Sequence, residues 1–148
     1  MAITDDQVAT LRAQLAGHHE EHVRRLDGLD TEEAKSGYTT LVTAAFFEAV
    51  DRKFIVNDKV AEAADVIDFV AYQREIHPDS ADQLDPHAAE MVILDALGKG
   101  SIDNIDSERL FGTQILLLAA LVGDARFSDD DLDAFLAKAR TEADKHLG

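Results

Sequence analysis

Four short stretches of this chain carry the same chemical message, a helix start, and together they do most to fix what it can fold into. The first turn of a helix has free N–H groups, and Ser, Thr, Asp or Asn placed just ahead of it supplies acceptors for them. Thr4 with Gln7 spells a T-x-x-Q capping box, flanked by Ile3 and Val8 at hydrophobic-staple positions. Asp85 stands before Pro86, which suits the first helical position. Asp106 has Ile105 and Leu110 as a staple, and Ser128 repeats the device with Asp131, Phe127 and Leu132. Weaker starts lie at Asp30 and Asn57. Ends are marked by Gly28, by His77-Pro78, by Gly98 and Gly100, and by Gly123.

These signals predict six helices, near residues 4–27, 30–53, 57–76, 85–97, 106–122 and 128–147. The period-two alternation of a half-buried strand is missing, and Phe54 to Val56 is too short to supply one. The expected fold is all-α: a compact single-domain bundle over residues 1–148 with two central helices. Thr40–Val50 and Ile115–Val122 are apolar around most of their circumference and suit the centre. Amphipathic helices wrap them, the last by a stripe of Leu132, Phe135, Leu136, Ala139, Ala143 and Leu147. A faint echo links Ala49–Asp58 with Leu121–Asp130, read either as two related helical hairpins or as the chance similarity common among such joints, and neither reading names a function.

At 148 residues, one core can bury roughly 68–70% of the unfolded surface, so folding needs neither metal nor disulfide. Cysteine is absent, which excludes a disulfide framework, a thiolate zinc site and a thiol nucleophile, and fits the expected cytoplasmic location. The start MAITDDQV has no basic or apolar region of a secretory signal. The longest apolar stretch, Ile115–Val122, is far short of the roughly 18 residues of a membrane span, so no membrane role is expected.

Thirty acidic residues stand against fourteen basic ones, a formal charge of −16. The excess is spread along the chain: residues 1–78 hold 15 acids and 8 bases, residues 79–148 hold 15 and 6. Such a surface repels phosphate backbones and disfavours nucleic acid as a partner.

One stretch resembles a catalytic motif. His18 to His22 read HHEEH, the H-x-x-E-H pattern of one class of zinc peptidases. Helical phase argues against that use. The apolar stripe Val8, Leu11, Leu15 continues by steps of three and four onto His18 and His22, then Leu26 and Leu29. Glu21 lies about 100° round from His22, and a peptidase also needs a third ligand from elsewhere. Two histidines on an inner helical face can instead offer imidazoles to a shared ion. Glu48, the sole charged residue between Tyr38 and Val50, is the one companion the sequence suggests. A buried carboxylate must be paired or protonated, and His18 or His22 are its expected partners. The alternative to a metal site is structural: histidines in a seam, whose charging in acid would weaken the fold or self-association. Gly17 adds a further expectation, since glycine weakens a helix and can split it there.

Other motifs fail on spacing. Asp129, Asp131 and Asp133 begin like a calcium loop, but Ala134 and Arg140 stand where Gly and Glu are needed. The glycines of GKGSIDNID read as a helix stop, and no G-x-S-x-G elbow occurs. The resulting expectation is a non-catalytic acidic helical protein that associates with itself or with a basic protein partner, with no cofactor. The alternative is a metal- or cofactor-dependent helical enzyme centred on His18, His22 and Glu48.

Overall fold

The computed structural model describes residues 2–79 and 81–147. Among these are seven α-helices: α1 (Asp5–Leu15), α2 (His19–Gly28), α3 (Glu32–Phe54), α4 (Ala63–Ile76), α5 (Pro86–Ala96), α6 (Ser107–Ala125) and α7 (Asp129–Leu147). A 3-10 turn spans Ala81–Gln83, and a small hairpin pairs β1 (Ile55–Val56) with β2 (Lys59–Val60). The fold is all-α. It divides into two compact units whose boundaries fall inside α3 and α6: residues up to Glu48 with those from Val122 onward, and Ala49–Leu121.

The first unit is organised by α1 and α7. Thr4 and Gln7 form the expected capping box, the Thr4 N–H donating to Gln7 Oε1 at 2.8 Å and the Gln7 N–H to Thr4 Oγ1 at 3.2 Å. The Gln7 amide also donates to the Ala34 carbonyl at 2.9 Å, which ties the start of α1 to α3. Gly37 makes room for it, because a Cβ there would lie 2.4 Å from Gln7 Nε2.

Ser128 and Asp131 cap α7 reciprocally. The Ile3 N–H donates to Asp144 at 2.7 Å, Arg140 donates to the Ile3 carbonyl and to Asp5, and Arg12 donates to Asp133 at 2.6 Å. Low numbers in α1 therefore meet high numbers in α7, so the two helices run antiparallel. The bond to Asp133, with Asp129 close by, raises the Arg12 pKa above its ordinary value. Between these helices and α3, Leu11, Leu41, Val42, Phe46, Phe135 and Leu136 are fully buried. Burial pushes the Tyr38 hydroxyl up to about 12, with its oxygen 3.5 Å from Gln14 Oε1.

The predicted first helix is broken in two at Gly17. There φ is +82°, a conformation that suits glycine, and the His18 N–H donates to the Ala13 carbonyl while Gly17 donates to Gln14. This pairing is a Schellman end, which satisfies the last carbonyls of α1 before α2 begins. The same device closes α5, where Gly98 has φ +76° and Lys99 donates back to Leu94 at 2.8 Å.

In the second unit the helix expected from Asn57 starts six residues later. Asn57 and Asp58 have φ of 55° and 65°, the two left-handed central residues of a tight hairpin turn. The Glu62 N–H then donates to Asp65 Oδ2 at 3.1 Å across the first turn of α4. Asp85 accepts from the His87 N–H at 3.0 Å and starts α5 as expected, and Arg109 donates to Asp85 from α6. Two other boundaries shift for local reasons. Thr31, rather than Asp30, accepts from the first turn of α3, and α6 runs through Gly123 to Ala125, followed by Arg126 with φ +53°.

Candidate functional site

The residues singled out as metal candidates sit in three different settings. His18 is exposed at the start of α2 and its side chain makes no capping bond. His22 is half-buried, with Nδ1 2.8 Å from the Thr10 carbonyl oxygen. A carbonyl only accepts, so Nδ1 carries the proton in either charge state of the ring. Glu48 is 8% exposed and forms an ion pair with Lys138 of α7, whose Nζ lies 3.5 Å from Oε1. The expected pairing of Glu48 with His18 or His22 is thus corrected: a lysine from a distant stretch of chain fills that place. Among the described residues no group of three or more His, Asp or Glu side chains is arranged to hold a metal ion.

The seam fails for the same reason that the helix is split. A left-handed residue at Gly17 resets helical phase, so the stripe of Val8, Leu11 and Leu15 does not continue through His18. Leu11 is fully buried, Leu15 is half-buried, and Leu26 is 41% exposed.

What the break produces is a helix that buries nothing. None of the residues of α2 is buried. By about 100° per residue, His19, His22, Val23 and Leu26 share one face spanning about 100° of arc. Val23 is 42% exposed and Leu26 nearly as much, and both stand outward on this face. Glu20 and Asp27, both exposed, lie beside Val23. On the other side Arg25 donates to Glu21 at 3.1 Å within the helix. α2 lies against α1, and the His22–Thr10 contact is a hydrogen bond between the two helices. Sequence periodicity assigned Leu26 to the core and gave Val23 no role. The signal that redirects both is Gly17.

The second unit holds a different feature. A cavity of about 250 Å³ is lined by Gln73, Arg74 and His77 at the end of α4, by Leu84, and by Leu116, Ala119 and Ala120 of α6. Gln73 is 4% exposed, and its Nε2 is a buried donor with no hydrogen-bond partner. Leaving such a donor unmade costs roughly 1–3 kcal/mol. Nothing in the sequence flagged Gln73, although the Ala-Ala pair within ILLLAALV is the spot where an apolar helix has too little side chain to fill space.

Fold and site together define an acidic all-α protein with an outward helix face holding Val23 and Leu26 and a small, mostly apolar cavity. No protein-family model matches the chain, and neither a curated protein nor a solved structure matches it. Among the described residues no helix is long and apolar enough to cross a membrane.

Proposed function

We propose that this is a non-catalytic protein that works by protein–protein association, and that the α2 face docks a partner whose surface is basic around an apolar centre. The observation that carries the reading is a whole helix with no buried residue that holds Val23 and Leu26 outward. Apolar side chains grouped on one helical face supply docking area, whereas single exposed ones have no such meaning.

Charge selects the kind of partner. The chain carries −16 overall, and Glu20 and Asp27 flank Val23. A basic rim on the partner is attracted at long range and pairs with these carboxylates at short range. A second copy brings another −16 and is repelled, and nucleic acid is repelled for the same reason. The absence of cysteine suits a reducing compartment such as the cytoplasm.

The test compares immobilised wild type with a Val23→Ser, Leu26→Ser double variant in native extract at low and high salt. Expected is a basic protein retained by the wild type at low salt, released by salt, and absent from the variant. Both residues are exposed, so melting should change by no more than about 0.5 kcal/mol. Equal retention by both proteins, or self-association of the wild type in sedimentation, would overturn the proposal.

A further inference from the structure

We infer that the cavity at the end of α4 is a binding site for a small organic carboxylate with a short apolar tail. This rests on the second unit alone and is independent of what α2 does. Three properties of the lining point to that chemistry. Gln73 lines the cavity and carries a buried amide N–H that no protein acceptor satisfies. A donor in this state has a standing demand for an acceptor, and a carboxylate oxygen meets it. The terminal torsion of glutamine is broad, which lets the amide turn to meet an acceptor.

Arg74 and His77 are the cationic and donor groups of the same lining. In a chain of −16, a concave site bearing a guanidinium is the place where an anion finds local attraction. A cation would be opposed by that guanidinium.

The remaining wall is apolar. Leu84, Leu116, Ala119 and Ala120 contribute it, and the two alanines leave a hollow where larger side chains would close the space. Leu117, Leu118 and Leu121 of the same helix are buried, so its neighbouring face is free to floor the cavity. At about 250 Å³ the space lies below the roughly 300–1,000 Å³ of drug-sized sites. A short aliphatic or single-ring acid fits that limit.

Hexanoate and hexanol, which share a tail and differ in the headgroup, are the probes. Titration of the full chain, followed by amide chemical shifts, should show hexanoate binding at least about tenfold more tightly than hexanol. Shifts should concentrate at Gln73, Arg74, His77 and Ala119. Arg74→Met should weaken hexanoate by about tenfold or more and leave hexanol unchanged. Gln73→Leu removes the unsatisfied donor, so it should raise the melting temperature and also weaken hexanoate. A merely structural glutamine would raise melting without touching binding. Ala119→Leu, at an exposed position, should block both probes. No saturable shift with hexanoate, equal affinity for the two probes, or hexanoate binding unaltered in Arg74→Met and Gln73→Leu would each overturn the site.

Discussion

Two helices of the first unit, α7 and α2, are both amphipathic by sequence, yet the fold uses them in opposite ways. α7 buries Leu132, Phe135, Leu136, Ala139 and Ala143, begins at a reciprocal Ser128–Asp131 cap, and is tied to α1 through Arg12, Arg140 and Asp144. α2 buries no residue and its first residue has no side-chain cap. The contrast teaches that an apolar stripe on a helix states only that something must cover it. For α7 the cover is the chain itself. For α2, we propose, it is another protein.

Substitutions that widen or close this contrast test it, and the largest effect belongs to α7. Phe135 is fully buried beside Phe127, so Phe135→Ala should cost about 3–5 kcal/mol in denaturant unfolding. Leu26→Ala should stay within about 0.5 kcal/mol in the same assay. A loss above about 2 kcal/mol at Leu26 would mean that α2 belongs to the core after all.

Gly17 is the joint between the two behaviours. Its left-handed φ makes Gly17→Ala destabilising by roughly 1–2 kcal/mol, even though alanine is the better helix former. Thermal melting decides it, because a higher melting temperature would show that a continuous helix over residues 4–27 is accessible and favoured. Smaller again is the cap comparison. Ser128→Ala should lose about 1 kcal/mol, while His18→Ala at the corresponding position of α2 should be close to neutral. Comparable losses at both would give α2 an anchoring that its geometry lacks.

The sequence made the local chemistry legible and the long-range pairing illegible. Thr4, Asp85 and Ser128 act as caps because a side-chain oxygen two or three residues from an N–H needs no distant partner. The Asn57-Asp58 turn was also readable in principle, since that dipeptide tolerates left-handed backbone and stands between Ile55-Val56 and Lys59-Val60. Gly17 was ambiguous, because glycine inside a periodic pattern is either tolerated or a stop, and the Schellman bonds that decide it are backbone bonds. The need of Glu48 for a partner was written in its apolar surroundings, but Lys138 lies ninety residues away and no periodicity connects them. Gln73 and its cavity depend on three separate segments converging, which one sequence does not reveal.

Native-state hydrogen exchange of the backbone amides of α2 and α7, measured on one sample, tests the central claim most directly. Helices held by buried side chains open only with the whole unit, whereas those held at the surface open locally at low cost. The account predicts that amides of Val23 to Gly28 exchange through cheap local opening while those of Phe135 to Ala143 approach the global unfolding free energy. Equal, global protection in both helices would contradict it.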